Sequence, residues 1–181
     1  RRYGTCRPAN VTREVEMIHV YPFKRVIKEA GVLGVMSSYN DYDGVPIQGS
    51  YYWLTTRLRG EMGFRGYVVS DSDAVEYLYT KHSTAKDMKE AVRQSVEAGL
   101  NVRCTFRSPD SFVLPLRELV KEGGLSEEVI NDRVRDILRV KFLSVCSMPP
   151  IRQTLPMPTV KWKKKRTKPL PCRHPASPSF C

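Results

Sequence analysis

Acidic residues are missing from both ends of this chain. Residues 1–12 hold three arginines and residues 144–181 hold eight lysines and arginines, with no Asp or Glu in either stretch. The remaining 19 basic residues meet 19 acidic ones between 13 and 143, so the net charge of +11 belongs to the ends and the middle is neutral. Also missing is any apolar run long enough to cross a bilayer, so no membrane partner is expected. The beginning is polar and Arg-rich and lacks the apolar core of a secretory signal, which an internal fragment would lack in any case. No CxxC or Cys/His spacing is present, so neither zinc nor any other metal is expected. Cys6, Cys146, Cys172 and Cys181 lie in the ends and do not suggest a disulfide framework. Cys104, alone in the middle, reads as a small buried hydrophobe at a strand end.

What is present is a repeating order of strand, loop and helix. From Arg13 the pattern is helical, with Val15, Ile18, Phe23, Val26 and Ile27 able to share a face, a kink or new turn at Pro22 and a stop at Gly31. Leu33 to Tyr39 reads as a strand, Asn40 to Ser50 as a long loop and Tyr51 to Met62 as a helix stopped by Gly63. Tyr67 to Ser70 is a second strand, and Asp71 to Ser83 a loop with a short turn. Thr84 to Ala98 is a helix ended by Gly99. Asn101 to Phe106 is a third strand and Phe112 to Lys121 a helix. Ser126 caps a last helix with an apolar stripe of Val129, Ile130, Val134, Ile137, Leu138 and Phe142. The three strands start 33–35 residues apart, the period of a βα unit. The expected fold is α/β, a partial TIM-like (β/α)8 barrel of about three units, since a whole barrel takes roughly 250 residues.

The stretch Gly66-Tyr67-Val68-Val69-Ser70-Asp71 runs a buried parallel strand into a carboxylate at its carboxyl end, where such folds place their chemistry. Asp also starts loops and caps helices, so this signal alone leaves catalysis and capping both open. Its neighbours narrow the choice. Gly34-Val35-Met36-Ser37-Ser38-Tyr39-Asn40, Asp43-Gly44-Val45-Pro46, Leu58-Arg59-Gly60-Glu61-Met62-Gly63-Phe64 and the Val-Val-Ser-Asp strand occur in one order. Together, from about Arg13 to Leu143, they resemble the N-terminal barrel domain of glycoside hydrolase family three, the β-glucosidase and β-xylosidase family. The resemblance implies that Asp71 is the catalytic nucleophile of a retaining, exo-acting β-glycosidase acting on terminal sugars of plant-type oligosaccharides. It implies no cofactor, and a secreted or periplasmic setting. Many members follow the nucleophile with Trp. Here Ser72 and Asp73 follow, similar to the β-xylosidase and arabinofuranosidase-like branch, which leaves the sugar preference open.

In the family a Tyr at the place of Tyr39 lines the sugar site; on its own Tyr39 is also a plausible packed aromatic. Asp73 either binds a sugar hydroxyl or caps the following turn. Arg103 and Arg107 read as solvated surface groups, and His82 as an exposed loop residue. His19, inside a helix, reads as a packed or surface histidine. Family parts absent from the chain are the earlier strands with a Lys-His substrate motif and the acid/base Glu, expected in a second domain or a later insertion.

Residues 1–12 read as an irregular segment, 13–143 as the partial barrel and 144–181 as a disordered Pro- and Lys-rich tail. The run Lys161-Trp162-Lys163-Lys164-Lys165-Arg166 also suits an alternative, a basic-tailed nucleic-acid-binding module. A reading-frame slip accounts for it better. With codons chosen freely, the tail shifts back into a family-like linker ending Glu-Ser-Ile-Val-Leu, and residues 1–11 shift likewise. On that reading no nucleic acid is a partner. The expected partners are a glycoside and the missing barrel half and second domain.

Overall fold

The computed structural model describes residues 11–147, with side chains over 13–144. The segment 1–10 and the tail beyond Ser147 lie outside the described residues, and so do the expectations for them. Helix α1 covers residues 11–30 and ends at Gly31, whose φ of +60° is open to glycine. Its Val15–His19 and Val26–Ala30 segments are wound as π-helix. The wide turns move the buried stripe to Val15, Val20 and Ile27, whereas Ile18, Phe23 and Val26 are exposed. The helix passes through Pro22 instead of restarting there. The wider turn ahead of it accommodates a residue that donates no backbone hydrogen bond.

Strand β1 (Gly34–Ser37) pairs in parallel with β4 (Tyr67–Ser70), with Gly34 opposite Tyr67 and Ser37 opposite Ser70. Helix α2 (Tyr52–Glu61) joins them and buries Leu54 and Leu58. The stretch between β1 and α2, read above as loop, contains a hairpin of β2 (Asp41–Tyr42) and β3 (Val45–Pro46). Asp43 and Gly44 both have positive φ, 53° and 78°. That is the two-residue turn for which Asp-Gly is the strongest short signal, passed over because its strands are two residues long.

The expected third strand is one parallel bridge, Val102 opposite Val69. Val102 N–H donates to Val68 O at 3.0 Å and Ser70 N–H to Val102 O at 2.8 Å. The next N–H, of Cys104, donates to the Ser70 hydroxyl at 2.8 Å, so a side-chain oxygen takes the place of the ladder carbonyl and regular pairing stops. Helices α3 (Ala74–Thr80), α4 (Met88–Ala98), α5 (Asp110–Lys121) and α6 (Glu127–Ser147) complete the described residues. α3 lies where a loop was expected. α4 starts four residues later than expected because Asp87 caps it, accepting from Glu90 N–H at 2.8 Å.

The core lies on one face of the strands, where Val68, Val75, Leu78, Val92 and Leu100 are fully or almost fully buried. On the other face the row Met36–Val69–Val102 stays open, with Met36 60% and Val102 37% exposed. Asn101 ties the strands to the helices. Its oxygen accepts from Val68 N–H (2.8 Å) and Arg59 Nη2 (2.7 Å), and its nitrogen donates to Arg133 O (2.8 Å) and Asp136 Oδ2 (3.1 Å). Burial pushes the Arg59 guanidinium below its ordinary value, against the pull of Asp136 at 3.0 Å.

One surface pair gives a pH-dependent term. The Arg93 side chain grips the Glu90 carboxylate through Nε (2.9 Å) and Nη2 (2.6 Å), and Gln94 adds a third donor. The Arg93 hydrogen bonds lower the Glu90 carboxyl from 4.5 to about 2. Its folded value is depressed, so its stabilisation is complete above pH 4.5 and is lost as pH falls towards 2. Solvent screening of a partly exposed i,i+3 pair keeps this to about 0.5 kcal/mol. Glu90→Gln should therefore lower the urea midpoint at pH 6. The difference from the parent should disappear near pH 2, and a difference that persists there would refute the assignment.

Candidate active site

Parallel strands put their carboxyl ends side by side. Ser37 and Ser70 are register partners, so Tyr39, two residues past β1, and Asp71, directly after β4, leave adjacent strands at the same end. Both serines turn into the buried face. Ser37 Oγ donates to Gln48 Oε1, and Ser70 Oγ accepts from Cys104 N–H. By alternation Asp71 belongs to the open face shared by Met36, Val69 and Val102.

Asp71 is half-buried. Its Oδ1 accepts from Ser72 N–H at 2.7 Å, and its carbonyl accepts from Ala74 N–H at 3.1 Å. Its second carboxylate oxygen has no partner among the described residues. A carboxylate held by one oxygen with the other open can act as a nucleophile. Asp73 has φ +57°, a left-handed conformation disfavoured for a residue with Cβ. It is held there by Asp73 N–H to Cys104 O at 3.2 Å and by the Thr105 hydroxyl, which donates to Asp73 Oδ1 at 2.7 Å. Asp73 stands at the N-terminus of α3, but its side chain makes no capping hydrogen bond there.

Tyr39 is partly exposed and packs edge-on against Tyr77 of α3, with ring centroids 5.8 Å apart. Its carbonyl oxygen lies 2.8 Å from His82 Nε2, so His82 is a structural tie between the β1 end and the turn after α3, not a free loop histidine. The helix that follows Asp71 thus also positions Tyr39.

Two further expectations are corrected. Arg103 is not a solvated group. It points to the helix side, where it forms a salt bridge with Glu76. Cys104, one residue on, falls on the open face and is exposed, with its sulfur 3.8 Å from Ser72 Oγ. The signal that could have found the Arg103 partner was in α3, where Glu76 sits among Ala74, Val75 and Leu78 on an otherwise apolar stripe.

Two surface concavities lie away from these strand ends. One runs along α6, lined by Val134, Leu138 and Phe142, and the other lies between α5 and α6; neither includes Asp71. Among the described residues no group of three His, Cys, Asp or Glu side chains could hold a metal ion. No helix among them is long and apolar enough to cross a membrane.

Known proteins share this fold. The chain is 34% identical over 142 residues to a xylan 1,4-β-xylosidase of Xylanibacter ruminicola, covering 76% of this chain and 16% of that protein. It is 35% identical over 120 residues to a lysosomal β-glucosidase of Dictyostelium discoideum, 66% of this chain and 14% of that one. The crystal structure of a β-glucosidase from Listeria innocua matches with a TM-score of 0.70 at 32% identity, over 78% of this chain and 18% of that chain. That β-glucosidase has also been solved in complex with glucose and, as a mutant, with laminaribiose. The chain therefore spans less than a fifth of the length of each of these three proteins. Residues 4–140 match the glycosyl hydrolase family 3 N-terminal domain, and with that match, on a partial TIM-barrel fold, the chain belongs to glycoside hydrolase family 3.

Proposed function

We propose that this chain is part of a retaining, exo-acting β-glycosidase, of β-glucosidase or β-xylosidase/arabinofuranosidase type, and that Asp71 is its nucleophile. The observation that carries the reading is the placement of Asp71 at the carboxyl end of β4, with one carboxylate oxygen held by Ser72 N–H and the other open. In this reaction Asp71 attacks the anomeric carbon while a separate carboxylic acid protonates the leaving oxygen. The glycosyl ester at Asp71 is then cleaved by water that the same acid, now a base, activates. Tyr39 and the second oxygen of Asp73 contact the sugar. The two carboxyls carry the chemistry without a cofactor. The acid belongs to sequence outside this chain, as do the strands that cover Met36 and Val102. The substrates are terminal sugars of plant-type oligosaccharides.

An aryl 2-deoxy-2-fluoro-β-glycoside with an activated leaving group tests this, because the fluorine slows both steps while the leaving group keeps formation of the ester faster than its hydrolysis. It should label the full-length enzyme that carries this segment, with the added mass on the peptide containing Asp71. The xylo and gluco forms of the reagent would rank the sugars. The 181-residue chain alone should neither be labelled nor hydrolyse aryl glycosides, since the lost acid catalysis is by itself worth ~10²–10⁴-fold. A label on another carboxylate would overturn the nucleophile assignment. Turnover by the chain alone would overturn its incompleteness.

A further inference from the structure

Behind the Asp71 turn lies a buried ion pair that glycoside cleavage does not itself call for. Glu76, in the first turn of α3, bridges to Arg103 at the end of the third strand segment, with side chains only 3% and 4% exposed. Arg103 is gripped from a third element as well. Its Nη1 donates to Ser111 Oγ at 2.9 Å, and its guanidinium lies 5.7 Å from the ring centre of Phe112, both on α5. A buried ion pair is a poor device for stability alone, because apolar residues of the same volume do as well or better. This one also leaves Glu76 Oε2 and Arg103 Nε without partners among the described residues. Its cost suggests a role other than holding the fold together.

The contacts run towards the site. Arg103 Nη2 reaches Thr105 Oγ1 at 3.5 Å, and the same hydroxyl donates to Asp73 Oδ1 at 2.7 Å. Asp73 is the left-handed residue whose conformation closes the turn between β4 and α3, and that turn carries Asp71. Glu76 holds the same segment three residues after Asp73, in the first turn of α3. The pair therefore holds the turn at Asp73, through Thr105, and at Glu76 in the first turn of α3.

We propose that Arg103 and Glu76 are positioning residues, which through Thr105 and Asp73 fix the turn that presents the Asp71 carboxylate to the anomeric carbon. The inference rests on the reading of Asp71 as nucleophile. Misplacing a reacting group by about 1 Å can cost on the order of 100-fold in rate. The loss should fall on the bond-forming step and not on sugar binding.

The test uses the full-length enzyme, with its active sites counted by the 2-deoxy-2-fluoro-β-glycoside so that misfolded protein does not enter the rate. In Arg103→Met/Glu76→Met, which leaves no orphan charge, the trapping rate per counted site should fall about 10- to 100-fold. KM should stay within about threefold of the parent, as expected when ground-state binding is spared. Arg103→Lys keeps the charge but not the planar fork, and should fall between parent and double variant. It also serves as the readout if the double variant folds poorly. Unchanged per-site rates in Arg103→Lys, or a lowered Tm with full per-site activity in the double variant, would reduce the pair to a structural role and overturn the proposal. Asp71→Asn runs beside them. If it is still trapped, the nucleophile reading fails and this inference falls with it. If it is silent while the pair variants keep the parental rate, only this inference fails.

Discussion

Asp71→Asn in the full-length enzyme is expected to lower kcat/KM on aryl β-xyloside and aryl β-glucoside by on the order of 10⁴–10⁶-fold, the range for removing a nucleophile from a working set. The fold should survive. Asp71 uses one oxygen to accept from Ser72 N–H, and the Asn carbonyl oxygen can accept the same hydrogen bond. The amide nitrogen then occupies the place of the open oxygen and cannot form a glycosyl ester. Circular dichroism and the urea midpoint should match the parent while activity disappears. Asp71→Gly in the presence of azide makes the test sharper. A small anion entering the vacated space should restore turnover and give the α-glycosyl azide, one inversion in place of the two that a retaining enzyme performs. Persistent hydrolysis with Asn at this position, or a β-azide product, would remove Asp71 from the reaction.

The second large effect concerns the strand pair that carries the site. At Gly66 a Cβ would lie 2.5 Å from the carbonyl carbon and 2.7 Å from the Cα of Leu33, closer than real Cβ contacts allow. The obstacle is backbone, which cannot rotate away as a side chain can. Leu33 O also accepts from Tyr67 N–H at 3.0 Å, directly ahead of the β1–β4 register. Gly66→Ala must therefore push β1 off β4 or break that hydrogen bond. It should cost about 3 kcal/mol, the upper range for overpacking. Gly60→Ala is the control. It lies in α2, where a Cβ would meet nothing nearer than the Thr55 O of the same helix at 3.7 Å, and Ala should gain about 0.5–1 kcal/mol there. Urea unfolding of the three proteins measures both. Equal midpoints for Gly66→Ala and the parent would show that the approach of the strands is not as close as described.

Much of this molecule was legible in local chemistry. Gly31, Gly63 and Gly99 stop helices where they were expected to, and all three have positive φ. Ser126 caps the last helix, its hydroxyl accepting from Glu128 N–H at 3.1 Å. The Val-Val-Ser-Asp strand and the motifs around it point to the family, because backbone-determined turns and a buried strand leave few residue choices. The Asp-Gly turn at 43–44 was legible too, but its two-residue strands fall below the length at which alternation can be read.

What the sequence determined by itself was the order of α1, β1, α2, β4, α4, α5 and α6, and the family. These depend on contacts between residues near in the chain. Tertiary structure alone decided the rest, through contacts across about thirty residues. It stopped the third strand at Val102, because the Ser70 hydroxyl, 34 residues earlier, takes the Cys104 N–H. It buried Arg103, because the helix-facing side of that strand meets Glu76, 27 residues away. By the same alternation it exposed Cys104, since the opposite face has no covering element among the described residues. Local sequence can say that an arginine or a cysteine stands at a strand end, but only the packed neighbours decide which face is wet.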